Sequence, residues 1–289
     1  MALTMADYRT AEKSWWCPGC GDFGVLAALQ KALVELQIEP EKAAVVSGIG
    51  CSGKIGNYIN SYNLHVTHGR ALAAAQGLKL ANRELTVIAA GGDGDGFAIG
   101  MGHYMHALRR NVNITYIVMD NMIYGLTKGQ TSPTSEPGFT TKSTPAGNIE
   151  KPVSQLQLAI ASGCGFVASG FSANQKQLVE IIKRAIQHPG FALVSTYSPC
   201  VTFNRLNTFD FFKANLTNLD EDPTYDRHDR FAAMKKLMET EELVTGIVYE
   251  DPNSVPYEAR VAGYPEEGIV NRDWSMDPAV WEQIVGQYK

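Results

Sequence analysis

The chemistry that this chain of 289 residues can do is concentrated in five cysteines and one Gly-Asp run. Cys17 and Cys20 stand two residues apart in "WCPGCG". That spacing suits a redox dithiol, half of a zinc site, half of an iron–sulfur site, or a turn with two incidental cysteines. Cys51, Cys164 and Cys200 stand alone. The run "GGDGDGF", residues 91–97, raises a different question. Glycines there let a phosphate approach the backbone, and a helix N-terminus favours an anion. A bare carboxylate repels phosphate, so Asp93 makes sense with a divalent cation between them. Mg²⁺ fits, because it takes carboxylate and carbonyl oxygens together with substrate phosphates. Asn121, 28 residues later, is the expected second ligand. The backbone carbonyl of Ile123 is a candidate third. A Rossmann dinucleotide site is a weaker reading, because no GxGxxG opens a helix here.

These residues need elements to position them. Apolar spacing predicts helices over 23–36, 69–82 and 97–110, with Gly100 and Gly102 weakening the last. Short apolar runs predict buried strands over 43–50 and 113–121, and over 85–96 a buried strand running into a Gly-rich turn. A polar segment rich in Gly, Thr, Ser and Pro follows, 122–151; a loop that long is more often functional or mobile than filler. The rhythm then resumes: helix from 153, strand 166–169, helix 174–188, strand 191–198. Alternation of this kind, with strands apolar on both faces, predicts an α/β fold with a mostly parallel sheet and helices on both faces. Residues 1–205 form the expected core domain. Residues 206–289 read as a C-terminal extension that packs on the core or a partner, with one helix near 228–241.

Strand direction sorts the cysteines. Open α/β sheets bind ligands at the carboxyl ends of their strands. Asp93 and Asn121 both follow strands, so both fall on that edge. Cys51 and Cys200 also follow strands. Cys17 and Cys20 precede a helix that feeds a parallel strand, so that helix begins at the same edge. Cys164 follows a helix and precedes a strand, which puts it at the opposite edge. Four convergent thiolates suit a structural Zn²⁺ or an iron–sulfur cluster. Structural zinc usually draws on two local pairs; one pair joined by two distant cysteines fits a cluster better. Burial as small apolar side chains remains the plain alternative.

Composition limits the partners. A net charge of −5 and the lack of a basic run disfavour nucleic acid. No apolar stretch approaches ~18 residues, which disfavours a membrane span. The N-terminus lacks an apolar signal core, so a cytoplasmic protein is expected.

The Gly-Asp-Gly turn followed by Asn121 resembles the thiamine diphosphate motif, in which the Asp and Asn hold Mg²⁺ on the cofactor's diphosphate. More broadly, residues 12–205 resemble the β subunits of 2-oxoacid:ferredoxin oxidoreductases. The motifs are "WCPGCG", "GIGCSGK", "THGRA", "GGDGDG", "MDNMIYGLTKGQTSPT" and "YSPC". "IYGLTKGQTSPTS" looks closest to the 2-oxoglutarate branch. The resemblance implies a thiamine diphosphate-binding fold carrying that cofactor, Mg²⁺ and one [4Fe–4S] cluster. It implies Cys17, Cys20, Cys51 and Cys200 as cluster ligands, and Asp93, Asn121 and Ile123 around Mg²⁺. Gly50, Cys51, Ser52, His68, Gly92, Gly94, Asp95 and the turn Ile123, Tyr124, Gly125, Leu126, Thr127 would line the cofactor. His68 reads equally well as a structural cap. Trp15 and Trp16 are candidate shielding for the cluster.

The implied reaction is reversible, coenzyme A-dependent oxidative decarboxylation of a 2-oxo acid, with electrons passed through the cluster to ferredoxin. For 2-oxoglutarate the product is succinyl-CoA. A dicarboxylate substrate needs a cation for its distal carboxylate, and Lys54, Arg70 and Lys128 are the nearby candidates. No residue of this chain clearly supplies the glutamate that activates the thiamine ring. The resemblance places it on an obligate α subunit, in a dimer of αβ units. The alternatives are a pyruvate or broad-specificity 2-oxo acid enzyme, a non-redox thiamine decarboxylase subunit with structural zinc, and an iron–sulfur scaffold. Intact Asp93 and Asn121 argue against the last.

Overall fold

The computed structural model describes residues 2–264, 268–273 and 275–288. In chain order its elements are α1 (Asp22–Glu35), β1 (Ala43–Ser47), β2 (Tyr62–His65), α2 (Ala71–Ala81), β3 (Thr86–Gly92), α3 (Met101–Arg110), β4 (Thr115–Asp120) and α4 (Gln155–Ala161). They continue with β5 (Phe166–Phe171), α5 (Gln175–Gln187), β6 (Ala192–Tyr197), α6 (Phe209–Asn215), β7 (Thr217–Asn218), α7 (Arg230–Glu239), β8 (Val244–Glu250), α8 (Tyr257–Arg260) and α9 (Pro278–Gly286). The strands form one sheet in the order β2-β1-β3-β4-β6-β5-β8-β7. From β2 to β5 every pairing is parallel; β8 runs antiparallel to β5.

Alternate residues of each strand feed two cores, because successive side chains point to opposite faces. Ala44, Val46, Val87, Ala89, Tyr116 and Val118 pack with α2, α3 and α4. Ala43, Val45, Ile88, Ala90, Ile117 and Met119 pack with α1 and α5. Full burial of an aliphatic side chain stabilises by about 1.5–3 kcal/mol, so this two-sided packing fixes the strand ends that carry the chemistry.

Three features depart from the reading above. β2, "YNLH", is exposed along its length and has no hydrophobic signature; it exists because its backbone pairs with β1 from Ala44 to Ser47. The expected helix at 97 begins only at Met101. A π-helical turn over Asp95–Ile99 precedes it, and Gly100 is needed there because a Cβ would lie 2.4 Å from the Asp95 carbonyl. Beyond residue 205, β7 and β8 join the same sheet, and β8 is buried along nearly all its length. The C-terminal segment therefore builds core as well as covering it.

Candidate functional site

The strand order puts the carboxyl ends of β1, β3, β4 and β6 side by side. Cys51, Asp93, Asn121 and Cys200 follow those strands in that spatial order. Between them opens a cavity of about 580 Å³, within the roughly 300–1,000 Å³ common for small-molecule sites. Residues 50–52, His68, residues 92–95, Asn121 and residues 123–127 line it, joined by Ile49 and Gln130. Two glycines shape its wall. A Cβ on Gly94 would sit 2.1 Å from the Tyr124 ring, and one on Gly92 would lie 3.0 Å from Ser52 Oγ. The backbone is thus bare where an anion would approach.

Asp93 is buried behind this wall. Thr134 Oγ1 lies 2.9 Å from Asp93 Oδ2 and 2.9 Å from Asp120 Oδ1. Asp120 also accepts from Gln155 Nε2 at 3.0 Å and from the Met122 N–H at 3.1 Å. Burial pushes both carboxyls up, Asp120 to about 8 with the charge of Asp93 adding to it. For Asp93 the hydroxyls of Ser132 and Thr134 and the N–H groups of Asp93 and Asn121 pull the other way. A hydroxyl carries one proton. Thr134 can therefore donate to only one of the two carboxyls at a time, and its single hydroxyl bridges the pair.

Asn121 begins a tight turn. Its Oδ1 accepts the Ile123 N–H at 3.2 Å, and its carbonyl accepts Asn204 Nδ2 at 3.0 Å. The long segment after it is ordered: the Tyr124 N–H bonds the Gln130 carbonyl, Ser135 Oγ bonds the Met122 carbonyl, and Asn148 Nδ2 bonds the Ser135 carbonyl. Asp95 lines the cavity but directs Oδ1 at protein donors on Ile49, His68 and Gly69.

The four edge cysteines are neighbours. Cys51 Sγ and Cys200 Sγ both lie within 4 Å of where a Gly125 Cβ would stand. Burial chiefly pushes the Cys51 thiol up to about 12, with Asp22, Cys200 and Cys17 adding to it. Cys20 rises by the same main cause and feels Asp22, Cys51 and Cys200. The "CPGC" turn is pinned to the end of β6: the Gly21 N–H bonds the Pro199 carbonyl, and Ser198 Oγ donates to buried Asp22 at 2.5 Å. Trp16 is buried and donates Nε1–H to the Cys51 carbonyl at 2.7 Å, whereas Trp15 is exposed. Among the described residues, no three His, Cys, Asp or Glu side chains stand arranged to hold one metal ion. Cys164 is elsewhere, fully buried in the core on the α4 side, with Sγ facing the carbonyls of Phe166 and Phe191.

The three candidate substrate cations do not line the cavity. Lys54 Nζ sits 5.9 Å from the centre of the Trp15 ring. Arg70 Nη1 bonds the carbonyls of Gly69 and Ile99. Lys128 opens onto a separate cavity with Lys142 and Phe203. Conversely, the sequence reading overlooked Thr134, Asp120 and Asp22. Asp120 adjoins Asn121 and was legible as a second carboxylate at a strand end; Thr134 lay inside a quoted motif without a role.

Residues 48–196 match the family model described as the thiamine pyrophosphate enzyme C-terminal TPP-binding domain. Residues 200–266 match the model for the C-terminal part of the pyruvate ferredoxin oxidoreductase β subunit. The chain is 45% identical over 268 residues to the β subunit of 2-oxoacid:ferredoxin oxidoreductase 1 of Aeropyrum pernix, covering 89% of this chain and 84% of that one. It is 45% identical over 216 residues to a 2-oxoglutarate synthase subunit of Archaeoglobus fulgidus, covering 74% and 80%. Its backbone resembles a solved 2-oxoglutarate:ferredoxin oxidoreductase of Magnetococcus marinus with 2-oxoglutarate, coenzyme A and succinyl-CoA bound. The TM-score is 0.90 at 40% identity, over 99% of this chain and 96% of that one. No helix among the described residues is long and apolar enough to cross a membrane.

Proposed function

The chain belongs to the family of 2-oxoacid:ferredoxin oxidoreductase β subunits, and from that premise we propose that its carboxyl edge oxidises a 2-oxo acid, 2-oxoglutarate foremost, using thiamine diphosphate on Mg²⁺ beside one [4Fe–4S] cluster. The observation that carries this reading is that Cys51 and Asp93 stand in the wall of one cavity. A cluster ligand and a metal-binding carboxylate then face the same ligand, and the electron path is short.

The side chains of Asp93 and Asn121 and the Ile123 carbonyl would hold Mg²⁺, a hard cation suited to those oxygens. Thr134 would hold Asp93 in place through its hydrogen bond to Oδ2. Gly92, Gly94 and the 123–127 turn leave room for a diphosphate. Cys17, Cys20, Cys51 and Cys200 would hold the cluster, with Trp16 closing it from water. When bound, the two groups supply the decarboxylating carbanion chemistry and a one-electron acceptor; the protein supplies orientation and insulation. Coenzyme A takes the acyl group and ferredoxin the electrons. The α subunit supplies the activating glutamate in a dimer of αβ units, in the cytoplasm.

One observation favours a broader or pyruvate-directed specificity: none of Lys54, Arg70 and Lys128 lines the cavity. Co-expression with the α subunit, anaerobic purification and viologen reduction with 2-oxoglutarate, pyruvate and other 2-oxo acids plus coenzyme A separates the readings. We expect the highest kcat/KM with 2-oxoglutarate. A higher value with pyruvate overturns the substrate; no reduction with any 2-oxo acid overturns the function.

A further inference from the structure

A second aspartate in a diphosphate-binding turn is an electrostatic liability unless it has other work. Asp93 is explained as a metal ligand; Asp95, two residues on, is not. Asp95 is buried. Its Oδ1 accepts the N–H of Ile49 at 2.9 Å and the N–H of Gly69 at 2.8 Å, and lies 3.0 Å from His68 Nδ1. An oxygen that already accepts from two N–H groups is an acceptor to the third. His68 therefore carries its hydrogen on Nδ1, and Nε2 is the nitrogen left for the cavity that His68 lines. Packing enforces the arrangement. A Cβ on Gly48 would stand 2.0 Å from Asp95 Oδ2, and one on Gly69, at φ +70°, would stand 2.6 Å from Ile99.

We propose that Asp95 is a positioning residue: one carboxylate oxygen sets the loop leading to Cys51, the turn at Gly69 and the ring of His68, so that Nε2 is presented to the reacting groups. Three walls that follow three different strands thus share one anchor, and the loop bearing a thiol is tied to the turn bearing the metal carboxylate. The inference rests on the function proposed above.

The test uses the αβ holoenzyme, purified anaerobically. D95N keeps an amide oxygen for the Ile49 and Gly69 N–H groups and removes the charge facing His68. We expect unchanged Mg²⁺–thiamine diphosphate affinity, an unchanged cluster EPR signature, unchanged KM, and kcat lowered about tenfold. H68A gives a similar loss, and the H68A/D95N double variant is no slower than either single one. D95A removes all three contacts; it lowers kcat about 100-fold and alters the EPR signature. Multiplying effects of D95N and H68A overturn the proposal, as does a D95A enzyme with wild-type kcat and spectrum. If D95A fails to fold, the D95N/H68A cycle decides alone. A wild-type enzyme inactive with every 2-oxo acid refutes the function itself; an active one with a multiplicative cycle refutes only this inference.

Discussion

The Gly-Asp turn and the cysteine corner lie on the same sheet edge but are built differently. Around Asp93 and Asp95 the carboxylate oxygens meet donors from Thr134, Ile49, Gly69 and His68, and glycines clear the wall. Around the thiols, burial raises Cys20 and Cys51, Cys17 is exposed, and the sulfurs do not close on a point. The first region is organised by the protein alone. The second is a set of neighbours pinned by backbone and side-chain contacts to the strand ends. Carboxylate oxygens thus find their partners within the protein, whereas burial and neighbouring charge raise the Cys20 and Cys51 thiols.

If the two regions are separate constructions, substitutions should uncouple them. The largest effect falls on Asp93→Asn. It should weaken Mg²⁺–thiamine diphosphate binding by more than the roughly 10–100-fold typical of outer-shell partners, while iron content stays at the wild-type level. Calorimetry and iron analysis on one preparation check both. Cys200→Ser should do the reverse: iron is lost and viologen reduction with it, but cofactor affinity is retained. A joint loss in either variant would merge the two regions.

Thr134→Val probes the organisation of the first region more finely. It removes the donor to Asp93, and cofactor affinity should fall about 10–100-fold, with Thr134→Ser restoring it. Asp120 gives a pH signature. Its folded-state pKa, about 8, lies above the ordinary 3.8. The native state then holds a proton that the unfolded chain releases, so this contribution to stability is present below about pH 4 and is lost as pH rises through about 8. Thermal melts of the cofactor-free complex should show stability falling across that window, and Asp120→Asn should flatten the fall. The smallest effect is at Cys164, outside both regions. Cys164→Ser should cost ~1 kcal/mol and leave iron and cofactor content unchanged.

Much of this was legible in the sequence because it depends on direction. Whether a residue follows a strand or a helix decides its edge, and that alone separates Cys164 from the other four cysteines. The same rule pairs Asp93 with Asn121. What depends on side-chain reach was not legible. Lys54 stacks on Trp15 and Arg70 caps backbone carbonyls; neither choice leaves a trace in spacing. Thr134 reaches Asp93 only because the 122–154 segment folds back across the edge, held by loop hydrogen bonds with no period. β2 was invisible because an exposed edge strand carries no hydrophobic alternation, and β8 because the charged residues around it masked a buried run.

The central claim is that the cofactor wall and the thiol corner act on one electron path. Its most direct test is low-temperature EPR of the anaerobic αβ complex, frozen before and after addition of 2-oxoglutarate and coenzyme A. The account predicts equal iron and sulfide, about four of each per β chain. It also predicts a reduced-cluster signal that appears only with substrate and is absent from the iron-replete Asp93→Asn enzyme. Zinc in place of iron, or a cluster that stays oxidised with every 2-oxo acid, would contradict it.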